Sequence, residues 1–397
     1  MVMNLELNKL IEMHADSLFL KVKEIREHLH MNPELSYNEF RTMEFVSSIL
    51  TEHNIHHEKG VGKTGIVAIV RNESHSKEDS CIGLRADLDA LPIHEENDVP
   101  YKSTVKGVMH ACGHDVHTAI LLGAAIVVQS LKEHLPSPVK FIFQPGEEKN
   151  PGGATLMIAD GVLENPRVRE MIALHVFPEM NIGSVGFKEG LYMASCDEIH
   201  LTINGKGGHG ATPHQCIDPI VIGSSIVLEL QQIVSRRCDP KIPCVLTFGH
   251  FEALGATNII PSQAKLKGTF RTMNEPWRKE ALALIDSQIR AIAQLHGATV
   301  DLEISKGYPY LENDPELTQR MRQKAIAVLG EDRVQELQIR LTSEDFSFYG
   351  QHVPVCFFRL GVRNEARGII YGVHHPRFDI DEKALLTGVQ LMCHAAF

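Results

Sequence analysis

The sequence predicts an α/β protein: a central mixed sheet covered by helices, interrupted by an inserted ferredoxin-like βαββαβ domain. Three observations predict it. Short apolar runs alternate with helical stretches over roughly the first half of the chain, the pattern of a sheet with helices on its faces. From about Ser195 the rhythm becomes strand, helix, two strands, helix, strand, which is the order of a ferredoxin-like unit. After Tyr308 the earlier α/β pattern returns, so the second unit is an insertion whose two ends lie close together. The expected boundaries are 1–190 with 307–397 for the larger domain and 191–306 for the insertion.

Helices open the chain. Leu10, Ile11, His14 and Leu18, then Val22, Ile25 and Leu29, roughly keep helical spacing. Asn32-Pro33 interrupts them, 39–50 resumes a helix, and helical structure is expected to about residue 56. Residues 66–70 and 81–91 read as strands. An Ala-, Ile- and Leu-rich stretch up to Leu131 reads as a helix that Asp115 can cap. Next come a short buried strand at 139–143, a helix after Gly153 and a strand at 171–177. The insertion has strands at 198–204, 244–251, 264–272 and 299–305. Its helices are 218–234 and a segment from near Pro276 to about His296. A helix at 315–329, a strand at 355–360 and a helix at 382–396 complete the larger domain.

Composition narrows the function. At 397 residues, with 43% hydrophobic and 22% charged, the chain reads as an ordinary soluble protein of more than one domain. Lys plus Arg is 39 against 50 for Asp plus Glu, a net charge of -11. A nucleic-acid surface needs a basic face, so that class is set aside. The eight cysteines form no C-x-x-C pair, which removes thioredoxin-like and zinc-ribbon readings. The acidic N-terminus lacks an apolar signal core, and no apolar run approaches the roughly 18 residues of a membrane span. A reducing cytoplasm, with most cysteines as free buried thiols, is the expected location. With 22 histidines, histidine content alone identifies no site.

The most informative stretch is Met109-His110-Ala111-Cys112-Gly113-His114-Asp115. Alternate residues of an extended segment point the same way, so Cys112 and His114 can reach one ion together. A thiolate beside an imidazole favours a transition metal over magnesium or calcium. Glu147-Glu148 follows an apolar strand and precedes a glycine loop. The pair is either a solvated acidic loop or a ligand next to a free proton carrier, the division of labour that hydrolysis at a metal requires. His175 lies in an apolar strand, as a satisfied core residue or as a ligand at the strand's end. His374-His375 is either an exposed turn or a further ligand. Asp87 is either part of a surface turn or a partner that accepts from a ligand histidine and fixes its tautomer.

In the insertion, 205–210 is rich in glycine but has neither the Walker nor the dinucleotide register, so nucleotide binding is rejected. That loop can still bring His209 close to a ligand. Asn258 and Arg271 offer an amide and a planar guanidinium to a carboxylate, or serve structure alone.

Taken in order, these segments resemble a known family. The motifs begin at Arg26-Glu27-His28-Leu29-His30 and run through RADLDALPI, HACGHD, FQPGEE, ALHV, GGHGATPH, ATNIIPSQA and GTFRT to SEDFSFY and HHPRFDIDE. They are similar to the dinuclear metallopeptidase superfamily that contains aminoacylases. The likeness is greatest to its amidohydrolase branch of hippurate hydrolases, auxin-conjugate hydrolases and N-acetyl-diaminopimelate deacetylases. The resemblance covers almost the whole chain and implies a metallopeptidase-like catalytic domain.

What the resemblance implies about the site is specific. Cys112 bridges two divalent ions (Zn, Mn, Co or Ni). His114 and His175 complete one site, and Glu148 and His374 the other. Glu147 is the general base. His209 helps polarise the scissile carbonyl, in related enzymes often from a partner subunit. Asn258 and Arg271 hold the substrate or its carboxylate. The implied activity is hydrolysis of N-acyl-L-amino acids, with a dipeptidase or a catalytically silent binding relative as alternatives. The implied partners are a small-molecule substrate and, through the inserted domain, a second copy in a homodimer. Neither nucleic acid nor membrane is expected. Hinges near 189–195 and 306–310 are expected to let the insertion close over substrate.

Overall fold

The structure, a computed structural model, describes residues 5–76 and 79–397. In chain order, the first unit contributes α1 (Leu5–Met31), α2 (Phe40–Glu52), β1 (His56–Val61), β2 (Gly65–Val70) and β3 (Cys81–Asp87). It continues with α3 (His114–Ser130), β4 (Val139–Gln144), α4 (Gly153–Ala159), β5 (Val168–Asn181) and β6 (Val185–Phe187). The second unit contributes β7 (Asp197–Asn204), α5 (Pro219–Gln232), β8 (Cys244–Glu252), β9 (Gln263–Thr272), α6 (Glu275–Leu295) and β10 (Thr299–Lys306). The chain then returns with α7 (Pro315–Leu329), β11 (Val334–Glu336), β12 (Val355–Arg363) and α8 (Lys383–Ala396). The first unit runs to Gly190 and adds Glu312–Gln338 and Phe348–Phe397; the second comprises Leu191–Leu311 and Ile339–Ser347.

The first unit is built on an eight-stranded mixed sheet in the order β1-β2-β4-β3-β5-β12-β6-β11. Its centre is parallel: β3 pairs with β4 and β5, and β5 with β12. Both faces of such strands are covered, so β3 and β4 are buried at every position. On α1, Ile11, Ala15, Val22, Ile25 and Leu29 form one apolar stripe against the main core. Helix α3 is buried from His114 to Val128 and packs with α1 and α8.

The sequence expectation fails in three places. Strand β1, His-His-Glu-Lys-Gly-Val, begins where the expected helices end, in a stretch given no element; it is an edge strand, mostly exposed, with no apolar alternation to reveal it. Strand β3 stops at Asp87 rather than running to 91. Helix α3 is not capped by Asp115. Its N-cap is Gly113, left-handed at φ 84°, and the buried Asp115 carboxylate bonds elsewhere.

The second unit is a four-stranded antiparallel sheet, order β8-β9-β7-β10, with α5 and α6 packed on it. Asp218 caps α5 by accepting from the Ile220 N–H, and Asn274 caps α6 by accepting from Trp277. Residues 339–347 join this unit through backbone bonds that the sequence does not announce. Arg340 N–H donates to the Tyr192 carbonyl, and Ala194 N–H to that of Thr342. All eight cysteines are free thiols, four buried and four half-buried. Among the described residues, no helix is long and apolar enough to cross a membrane.

One close approach fixes the loop after β4. Gly153 donates its N–H to the Gly146 carbonyl, and a Cβ at Gly153 would stand 1.6 Å from the Pro145 carbonyl oxygen. Gly153→Ala must therefore move backbone. It is expected to cost about 1–3 kcal/mol, seen as a lower urea midpoint; a wild-type midpoint would contradict this packing.

Candidate metal centre

The parallel strands set out the site. Asp87 and Gln144 end β3 and β4 side by side in register. Arg85 of β3 pairs with Ala173 of β5, so His175, two residues further, stands level with those strand ends. The carboxyl ends of parallel strands are where α/β sheets carry their chemistry.

Backbone geometry then brings in the other segments. A Cβ on Gly113 would meet Val176 Cγ2 at 2.5 Å, so glycine lets the Cys112–His114 segment press against β5 beside His175. Gly146 is left-handed at φ 57°, against the Tyr37 ring, with its N–H on Glu39 Oε1 at 2.8 Å. That turn delivers Glu147 and Glu148. His374 is also left-handed, at φ 64°, and its N–H donates to the Ala111 carbonyl at 2.7 Å, next to Cys112.

Four overlapping groups stand out, each with its ligand atoms within 4.8 Å of one another: Cys112, His114 and His175; Cys112, Glu148 and His374; His114, Glu147 and Glu148; and Asp87, His114 and His117. Cys112 Sγ lies 3.5 Å from His175 Nε2, whose other nitrogen bonds the Val176 carbonyl at 2.8 Å. His374 Nε2 is 3.2 Å from Glu148 Oε1. His375 turns away, stacks on Tyr371 at 4.4 Å and accepts from the Arg377 N–H. The structure thus brings Cys112, His114, Glu147, Glu148, His175 and His374 together.

Asp87 shares its expected place with Asp89. Asp87 Oδ2 stands 3.8 Å from His114 Nε2, while the hydrogen bond to the His114 ring is made by Asp89. Asp89 Oδ1 lies 3.2 Å from His114 Nδ1 and accepts the Glu147 N–H at 3.1 Å; Oδ2 accepts from the Glu148 N–H at 3.0 Å and the Ser36 hydroxyl at 2.6 Å. Asp87 instead holds His117 Nδ1 and Arg85 Nη1, each at 2.6 Å. His117 Nε2 accepts from the Val176 N–H, so both of its ring nitrogens are in use. The sequence signal for Asp89 was present in RADLDALPI, but nothing local separates its role from that of Asp87.

The electrostatics favour a cation. Burial opposes a charged His114, yet Asp87, Asp89 and Glu148 outweigh it and push the imidazole up to about 10. Burial pushes the Cys112 thiol well up, and Glu148, Glu147 and Asp87 add to the effect. Burial and the Arg359 guanidinium hold His175 well below the usual histidine range, so it presents a neutral imidazole. Buried His114 Nε2 has no hydrogen-bond partner, and Glu148 Oε1 makes no hydrogen bond and has only the ion-pair approach of His374 Nε2 at 3.2 Å. Buried polar atoms are nearly always satisfied. A neutral imidazole, a carboxylate oxygen and a sulfur that needs a cation to ionise are a donor set that fits a divalent transition metal.

The remaining sequence candidates lie in the second unit. His209 and Asn258 sit on exposed, adjoining segments: His209 pairs with Ile259, and Gly210 N–H donates to the Asn258 carbonyl. Arg271 is half-buried and donates to the Leu341 carbonyl at 3.0 Å.

Comparisons with known proteins agree with this geometry. The model of peptidase family M20/M25/M40 matches residues 83–397. The N-acetyl-L-cysteine deacetylase of Bacillus subtilis strain 168 is 37% identical over 94% of this chain and 86% of its own. Thermostable carboxypeptidase 2 of Saccharolobus solfataricus is 37% identical over 94% and 93%. The crystal structure of the Bacillus subtilis YXEP protein, a dinuclear metal-binding peptidase from the M20 family, superposes with a TM-score of 0.80 at 30% identity, covering 96% of this chain and 98% of that one. With its mixed sheet and clustered metal-ligand side chains, the chain belongs to peptidase family M20/M25/M40 and is a hydrolase of amide bonds.

Proposed function

We propose that this chain hydrolyses the amide bond of N-acyl-L-amino acids, with acetyl, benzoyl or similar acyl groups, to a carboxylate and a free amino acid. The observation that carries the reading is that Cys112 belongs to two of the three-residue groups while buried Glu147 shares another with His114 and Glu148. Cys112 would be shared by two ions, His114 and His175 completing one site and Glu148 and His374 the other. Zinc, manganese, cobalt and nickel suit these donors. Such ions, when bound, polarise a carbonyl and lower the pKa of water from 15.7 towards about 7.

The chain's own groups supply the rest. Glu147 takes the proton of the attacking water and returns it to the leaving nitrogen, a role worth roughly 10²–10⁴ in rate. Its backbone is fixed by the N–H bond to Asp89. His209 Nδ1 accepts from the Ala211 N–H, so in the neutral ring the proton sits on Nε2, ready to donate to a carbonyl oxygen gaining charge. Arg271 and Asn258 hold the amino-acid carboxylate, the guanidinium as a planar fork. A homodimer formed through residues 191–306 and closure of that segment over substrate belong to the same reading and rest on the family resemblance; a cytoplasmic location rests on the free thiols.

A second reading has one specific support, the relative named a carboxypeptidase. A peptide's C-terminal residue also presents an amide beside a free carboxylate, so the same groups would serve. Acetyl-, benzoyl- and indole-acetyl-amino acids, assayed with each metal against unblocked dipeptides, separate the two. Preference for the unblocked dipeptides would overturn the N-acyl reading.

Three variants test the assigned roles. Glu147→Gln should retain its metal by elemental analysis and lose at least about a hundredfold in turnover; near-normal turnover refutes the general-base role. Cys112→Ser should lower metal content, and an unchanged content means that Cys112 is not a ligand. Asp89→Asn turns one acceptor into a donor facing N–H groups, and should weaken metal binding by about 10–100-fold. Wild-type affinity in that variant would remove Asp89 from the role given to it.

A further inference from the structure

Arg26 and His30 lie on α1, far along the chain from every candidate ligand, and the reaction has no use for them. Yet both are buried. Arg26 Nε donates to Asp115 Oδ2 at 2.9 Å, and Arg26 Nη2 donates to Asp379 Oδ1, also at 2.9 Å. Asp115 directly follows His114 at the start of α3. Asp379 lies in the segment that begins with His374. One guanidinium therefore spans the two stretches that carry opposite halves of the candidate centre.

Other contacts point the same way. His30 Nδ1 shares Asp115 Oδ2 at 2.8 Å, and its Nε2 lies 3.2 Å from Glu95. Tyr101 stacks under the Arg26 guanidinium at 4.7 Å and donates its hydroxyl to Asp379 Oδ2 at 2.8 Å. Asn97 donates to the Phe378 carbonyl, and Glu96 N–H to that of Pro376. His374 itself is more than half exposed, on a left-handed backbone, with one backbone bond to Ala111. Its place beside Glu148 has to be imposed by the segment behind it.

We propose that Arg26 is a positioning residue that holds the His374 segment in register with the Cys112–His114 segment, so that the Glu148 and His374 metal site forms. The inference rests on the dinuclear reading above. Arginine is suited to this role because its fork reaches two carboxylates at once, which a lysine point charge does not.

The test reads metal, not turnover. Full-length protein is stripped with a chelator and titrated with zinc alone by calorimetry, with folding followed by circular dichroism and thermal unfolding. Wild type is expected to take two equivalents. R26K and D379N are expected to keep one tight equivalent while the other weakens by about 10–100-fold, the usual effect of losing a group behind a ligand. D379N leaves the Arg26–Asp115 pair intact, so it carries the test if R26K does not fold. R278K alters a buried pair with Asp197 in the second unit and controls for general loosening; it should take two equivalents as wild type does. Wild-type affinity at both sites in folded R26K and D379N overturns the proposal, and so does an equal loss in R278K. Fewer than two equivalents in the wild type overturns the dinuclear reading itself, and this inference with it.

Discussion

The Asp89 carboxylate is where the centre is tied together. It reaches the His114 ring, the backbone amides of Glu147 and Glu148, and the Ser36 hydroxyl, and it is almost fully buried. Burial would raise its pKa, but the His114 hydrogen bond and charge, with Ser36 and the Glu148 amide, reverse that and keep it ionised. Hydrogen bonds to a buried charge are stronger than neutral ones and costly to break. His114 and two adjacent glutamates, which come from different parts of the chain, thus share one anchor. The turn that carries Glu147 follows from that anchor and from the left-handed Gly146 before it.

Four carboxylates surround this point: Asp87, Asp89, Glu147 and Glu148. Arg85 pairs with Asp87, and a proton on His114 balances part of the rest. Burial is the main reason that the Cys112 thiol is pushed up, and the negative field that raises His114 adds to it. A divalent ion held by these residues would answer that field in place of protons. A thiolate among the donors would favour softer cations, since hard ions gain little from sulfur.

Much of this was legible in the sequence, and the failures have physical causes. Cys112 with His114, Glu147 with Glu148, His175 and His374 stood out as residue types, and the family resemblance chose among their open readings, taking His374 over His375. The structure sets those two apart: His374 Nε2 faces Glu148, while His375 stacks on Tyr371. Asp87 and Asp89 share one parity, and on an unbroken strand both would face the same way. Strand β3 ends at Asp87, so alternation no longer governs Asp89. Asp115 has the composition of a helix cap, but Arg26, 89 residues earlier, captures its carboxylate. Local propensity cannot register such a partner. Strand β1 escaped for the opposite reason: an exposed edge imposes no apolar pattern.

The split between buried and exposed residues also bears on which parts of the chain can change. Cys112, His114, Glu147 and His175 are buried, packed against strand ends and joined through shared hydrogen bonds. A change at any of them leaves an unpaired polar group in a low-dielectric interior, which is expensive. His209 and Asn258 are exposed on short paired segments, and Arg271 is half-buried. Substitutions at exposed positions seldom disturb stability by much. The buried cluster is therefore the part of this chain least able to change, and the exposed positions of the second unit are the part freest to do so.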